Sequence, residues 1–226
     1  MPRMVPAATT STAPPASASP ASASLPPAAP SPLTDRRAAR RAQTELALRT
    51  AALDLAEQRG FDGFTVDEVA QRAGVSPRTF FNYFPTKEAA VLADPRPVLE
   101  AMSAAVADRP DAPLLEAIRA AITAFLTVST SSDRHVRREL ALIEDQVPLR
   151  IALLTHYCAY ERTLGRAIAE RMGTTVEADP LPLVLAAAAV GVARIVLVRW
   201  SWTSDPAPDE ADVEETLARM GALLAV

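Results

Sequence analysis

Cysteine, lysine and histidine are nearly missing from this 226-residue chain, and glycine and aromatic residues are scarce. A single cysteine, Cys158, excludes an internal disulfide and fits a reducing compartment. With two histidines beside that one cysteine, no Cys/His metal cluster can be assembled, and neither H-E-x-x-H nor a glycine-rich phosphate loop occurs. His156 and Cys158 stand two residues apart on an expected helix and so point about 200° apart, which forbids a Cys–His nucleophilic pair. His135 is expected in a loop. Neither enzymatic activity nor a cofactor is expected from this set. Lysine occurs once, at Lys87, among 23 basic residues, and with the excess of alanine and proline this reads as the codon usage of a GC-rich genome. Only 7 glycines and no sustained alternation of apolar and polar residues leave little room for strands, so the expected fold is all-α, with about nine helices.

What is present suits one or two small domains: 49% of residues are hydrophobic and 22% charged. Residues 1–33 are rich in Pro, Ala and Ser with Arg3 as their one charge, a composition that cannot offset the entropy of ordering, and they are expected to form a disordered tail. Proline interrupts every apolar window in this tail, so no signal peptide is expected, and a cytoplasmic location follows. The first helix is expected from Thr34 or Asp35 to Arg59, stopped by Gly60, with Leu48, Ala52 and Leu55 on its buried stripe and Leu46 and Leu53 flanking it. Its opening turns carry Arg36, Arg37, Arg40 and Arg41, four cations that can lie along phosphates or enter a minor groove. Residues 34–91 hold nine basic and eight acidic side chains, whereas residues 92–226 hold thirteen and nineteen. An acidic body of this kind is repelled by DNA and turns the N-terminal part toward it.

The stretch TVDEVAQRAGVSPRTFFNYFPTK, residues 65–87, carries a mechanism in its spacing. Thr65 and Glu68 form a capping box, and Val66, Val69, Ala70 and Ala73 follow at the spacing of one buried helix face. Gly74 stands where the helix must stop in a conformation of positive φ, with Val75 able to plug the gap between two helices. Ser76 and Pro77 are favoured at N-cap and N1, so a second helix is expected from Pro77 through Phe84, ended by Pro85. Phe80 and Phe84 share its core side, while Arg78, Thr79, Asn82 and Tyr83 project outward as hydrogen-bonding groups. Thr86 caps a third helix that opens on Lys87, where a cation and free backbone N–H groups coincide near an expected DNA phosphate. The arrangement is that of a helix-turn-helix reading double-stranded DNA.

The longer stretch FTVDEVAQRAGVSPRTFFNYFPTKEAAV resembles the DNA-binding signature of the TetR (tetracycline-repressor-like) family of bacterial regulators, closely over residues 44–92. The resemblance implies a three-helix DNA-binding domain at 34–91 and a ligand-binding and dimerisation domain at 92–226. It also implies that Thr65, Ser76, Arg78, Thr79, Phe81, Asn82, Tyr83 and Lys87 contact DNA. Phe81 stands where the family usually has a tyrosine, which exchanges a phenol–phosphate bond for apolar contact with a thymine methyl. Ala56 stands where an aromatic residue is usual. The implied function is a transcriptional regulator, most often a repressor, that binds a palindromic operator as a homodimer and is released by a small-molecule effector. The alternative is an all-helical interaction protein without DNA-binding activity.

Beyond the signature, Asp94-Pro95-Arg96-Pro97 is expected to break or kink the chain. Helices are expected at 99–107, 114–130, 136–146, 149–172, 181–198 and 213–224. The segment 181–198 is apolar apart from Arg194; a central arginine is costly in lipid and the Ala and Gly content suits close helix packing, so a bundle helix rather than a membrane span is expected. Residues 181–202 and 213–224 are expected to form the homodimer interface. A pocket is expected between 114–130, 149–172 and 181–202, lined by Phe125, His156, Tyr160, Arg194 and Trp200. Arg194 is expected either to pair with Glu144 or Glu161 or to meet the acidic head of an apolar or acyl-type ligand.

Overall fold

The computed structural model describes residues 32–131 and 133–224, so residues 1–31, which hold most of the expected tail, lie outside the described residues. The described residues form ten α-helices and one short 3-10 turn, Phe61–Gly63, with no strand among them. Two compact units are distinguished, 1–39 and 40–226, and the described part of the first is the opening of helix α1, Pro32–Arg59.

Within the second unit the N-terminal helices are α2 (Val66–Arg72), α3 (Pro77–Phe81) and α4 (Lys87–Val91). Their core is Leu48, Ala52, Leu55, Val69, Ala70, Phe80 and Val91, all nearly inaccessible. Leu53 is also fully buried, whereas Leu46, expected to flank the stripe, is 53% exposed. Ala56 is buried without an aromatic ring in its place. α2 ends in a paired set of reverse hydrogen bonds, Val75 N to Ala70 O at 2.9 Å and Gly74 N to Gln71 O at 3.1 Å, with Gly74 at φ 71°. This closure satisfies two orphan carbonyls but needs a left-handed residue between the two helices. A Cβ on Gly74 would touch nothing within 4 Å, so Gly74→Ala isolates the backbone cost. We expect a loss of about 1 kcal/mol in urea unfolding with an unchanged m value.

The remaining helices are α5 (Arg96–Ala107), α6 (Leu114–Ser129), α7 (Asp133–Asp145), α8 (Val147–Arg171), α9 (Leu181–Ser201) and α10 (Glu210–Leu224). α5 packs on α6 and α8, α9 packs on α8 and α6, and α10 closes against α6 and α9. Gly165 lets α8 and α9 approach, since a Cβ there would sit 2.7 Å from Leu183 Cδ2. α9 is long and apolar enough to cross a membrane, yet Ala186, Ala189, Val190 and Ala193 are buried within the bundle. The two parts of the second unit are tied by ion pairs: Arg138 of α7 reaches Glu57 and Asp54 of α1, each at 2.6 Å.

Several boundaries depart from expectation. α3 stops at Phe81, because the Asn82 N–H is shared between Arg78 O and Thr79 O and Tyr83 N bonds Phe80 O in a tightened turn. Pro85 then keeps Phe84 out of helical geometry. α5 starts three residues early, at Arg96, since proline is tolerated in a first turn. α7 starts at Asp133, which places His135 on a helix and not in a loop.

Candidate nucleic-acid interface and effector cavity

The helix-turn-helix is held by caps on each of its short helices. Thr65 Oγ1 accepts from Glu68 N, and Glu68 Oε2 accepts from Thr65 N at 2.8 Å, completing the capping box. That backbone hydrogen bond and the Arg59 guanidinium, 2.6 Å away, hold the Glu68 carboxyl below its ordinary value. Ser76 Oγ accepts from Thr79 N at 3.1 Å and lies 2.8 Å from the Thr79 hydroxyl. Thr65, Ser76 and Thr79 therefore already use their oxygens in local bonds. Phe80 is fully buried against Phe84, with ring centroids 5.8 Å apart. This anchors α3 so that Arg78, Phe81 and Asn82, at i, i+3 and i+4, all lie exposed on one side. Phe81 is 57% exposed, its ring edge to face with Phe80 at 5.4 Å between centroids.

The other expected contacts are distributed differently. Tyr83 is half-buried, with the Arg41 guanidinium 5.0 Å from its ring centroid. Arg40 and Arg41 are exposed on α1; Arg36 and Arg37, likewise exposed, belong to the first unit. Lys87 turns inward: its Nζ donates to Phe61 O at 2.6 Å and Phe64 O at 3.1 Å and lies 4.4 and 4.6 Å from those two ring centroids. Two carbonyls and two aromatic faces thus satisfy the ammonium, and it ties the 3-10 turn to α4.

A cavity of about 260 Å³ lies among α1, the junction between α4 and α5, and helices α6 to α9. Phe125, His156 and Tyr160 line it, with Phe125 and Tyr160 stacked edge to face at 5.5 Å. Burial lowers the pKa of His156 and raises that of Tyr160. Tyr157, also in the wall, is pushed up to about 12 by burial. Arg194 and Trp200 lie outside this cavity. Arg194 is exposed on α9, 5.9 Å from the Tyr157 ring centroid, and lines a second hollow with Arg150 and Glu144. Because α9 turns Arg194 to solvent, no burial cost arises and no pair with Glu144 or Glu161 forms; Glu144 instead accepts from Trp202 Nε1 at 3.0 Å. Trp200 is buried in the last turn of α9, its Nε1 donating to Asp205 O at 3.1 Å and its ring covered by Arg137 at 3.8 Å.

The wall also holds polar residues that sequence reasoning missed: Arg49, Asp94, His135 and Glu139. Glu139 is 7% exposed, and its two oxygens accept from Ala93 N, both at 3.1 Å. Arg49 Nη2 stands 3.5 Å from it, and Arg49 Nη1 donates to Leu92 O at 3.0 Å. Burial raises the Glu139 carboxyl to about 7, against the opposing pull of Arg49 and the Ala93 N–H. A folded-state value above the ordinary one stabilises the fold at low pH, and this contribution is lost as pH rises through about 7. A detectable signal was present: Glu139 interrupts the apolar stripe Val136, Leu140, Ile143 at a core position.

Capped helices presenting a polar and aromatic strip, joined to a helical body with a cavity, define a DNA-binding transcriptional regulator of the helix-turn-helix class. Residues 48–93 match the family profile described as bacterial regulatory proteins, tetR family, and residues 112–225 match the MftR C-terminal domain. A Mycobacterium tuberculosis protein provisionally named mycofactocin biosynthesis transcriptional regulator MftR is 29% identical over 171 residues, 75% of this chain and 85% of that one. The HTH-type transcriptional regulator TcmR of Streptomyces glaucescens is 30% identical over 163 residues, 68% of this chain and 71% of its own. In fold, the chain is similar to a TetR-family regulator from Streptomyces coelicolor A3, with a TM-score of 0.50 at 21% identity over 79% of this chain and 92% of that one. The chain belongs to the TetR family of transcriptional regulators.

Proposed function

We propose that the chain is a one-component repressor that acts in the cytoplasm, needs no cofactor and no membrane, and binds a palindromic operator in double-stranded DNA as a homodimer. Residues 34–91 serve as its DNA-binding domain and residues 92–226 as its dimerisation and effector domain. A small apolar or acyl-type molecule in the cavity releases it. The observation that carries this reading is that Ala93, Asp94 and Pro97, which join the helix-turn-helix to the body, are themselves cavity wall. Any occupant therefore acts on the segment that sets the position of α3.

The cavity and the Arg194 hollow share Leu140, Leu153 and Tyr157 as a common wall. Movement of Tyr157 joins the two, and an acyl chain in the cavity then carries its acidic head toward Arg194. A thermal-shift screen of acyl compounds on wild type and Arg194→Met tests this; equal stabilisation of both removes Arg194 from the ligand's path.

DNA binding is tested by a band shift on the gene's own upstream region. Genes of mycofactocin biosynthesis, if they adjoin this gene, supply a second duplex because of the relative's name. Binding is expected to weaken steeply with added salt, each neutralised phosphate contributing about 0.9 to the logarithmic slope. Absence of a salt-dependent shift on either duplex counts against the repressor reading.

A further inference from the structure

Glu139 connects the cavity wall chemically to the backbone that follows α4. Its carboxylate sits on α7, faces the cavity, and holds the first free N–H beyond α4, that of Ala93. Arg49, from α1, completes the arrangement by spanning the carboxylate and the Leu92 carbonyl. The backbone just after α4 is thus fixed through both a donor and an acceptor by the buried Glu139 and the partly buried Arg49. α4 begins at Lys87, one short turn after α3, so the register of α4 and that of the recognition strip are set together.

We propose that Glu139 is a positioning latch between cavity and DNA-binding unit: a proton, or a hydrogen-bond donor on a bound molecule, takes its carboxylate from Ala93 and Arg49 and resets the end of α4. The proposal rests on the regulator reading above. Its physical basis is competition for two oxygens. An ionised carboxylate accepts from Ala93 N–H and Arg49 at once, whereas a protonated one loses the ion pair and must place its own proton.

The histidines, tyrosines and Asp94 that face Glu139 are shifted away from neutrality. His135, on the same helix, is lowered by burial and by Arg49, Arg138 and Arg134. His156, from α8, is lowered by burial, while Tyr157 and Tyr160 are raised by it. Asp94 is lowered by its bonds to Arg96, which outweigh its partial burial. Burial thus moves both imidazoles down and the Glu139 carboxyl up to about 7.

The test uses the full chain and two readouts across about pH 6.5 to 8.5: the amide resonance of Ala93, and affinity for an upstream duplex at constant salt. In wild type, the Ala93 resonance is expected to titrate with a midpoint of about 7, and affinity to change about fivefold or more over the same range. Glu139→Gln keeps the size and an acceptor for Ala93 but cannot ionise, so both curves should be flat. Arg49→Gln removes the cation that favours ionisation and should move the Ala93 midpoint upward, a shift that a merely structural role does not produce. The latch is overturned if wild type is flat in either readout, or if Glu139→Gln titrates like wild type. Binding to no duplex at any pH, with the Ala93 titration intact, overturns the regulator reading instead.

Discussion

Replacing Arg78 by alanine is expected to lower operator affinity by about 1–3 kcal/mol per half-site, and twice that for a symmetric dimer bound to both. The Arg78 side chain is exposed on α3 and makes no hydrogen bond or ion pair among the described residues, so its loss is expected to leave the fold unchanged. Its guanidinium suits the O6 and N7 acceptors of guanine, and the Asn82 amide suits adenine. Asn82→Ala should accordingly relax preference at a single base-pair position, and both variants should keep the wild-type unfolding midpoint. Lys87→Met is the informative contrast. Its ammonium lies against Phe61 O and Phe64 O, so the expected result is lower thermal stability with little change in the salt slope of binding. Unchanged operator affinity in both Arg78→Ala and Asn82→Ala would move DNA reading away from α3.

Gly191→Arg is expected to convert the protein to a monomer at micromolar concentration and to weaken operator binding by about 10²-fold or more, as the tethering of two half-sites is lost. Val184, Ala188, Gly191 and Ile195 lie at helical spacing along α9, with Val184 60% and Ile195 48% exposed. Such a strip is costly in water and is what a second copy would cover with the same strip, in the isologous contact of a two-fold dimer. A Cβ at Gly191 meets nothing within 4 Å of its own chain, so the arginine fits the protomer and acts only between protomers. Size-exclusion chromatography with light scattering decides the point. A Gly191→Arg protein that remains a dimer would place the interface elsewhere. The α10 side of the expected interface has Met220 exposed and Val213 buried against the bundle, and the Leu224 side chain lies outside the described residues.

The helix-turn-helix was legible because its determinants are local. The Thr65–Glu68 box, the positive φ at Gly74, the Ser76 cap and the Pro77 start all act within one or two turns. Helix ends were less legible: α3 stops at Phe81 because a tightened last turn competes with α-helical bonding. The cavity was half legible. Phe125, His156 and Tyr160 follow from periodicity along α6 and α8, whereas the sides taken by Arg194 and Trp200 do not, since α9 is apolar almost all round and gives periodicity nothing to select.

Sequence alone determined the helical class, the capped motif and the outward side of Arg78 and Asn82, since propensity, caps and i, i+4 spacing are properties of neighbouring residues. Tertiary structure alone decided which charges are buried. It turned Arg194 to solvent, closed Trp200 beneath Arg137, folded Lys87 against the Phe61 turn, and placed Glu139 on Ala93 and Arg49, some 46 and 90 positions away in the chain. Burial and pairing over such separations depend on how helices cross, and no local pattern encodes the crossing.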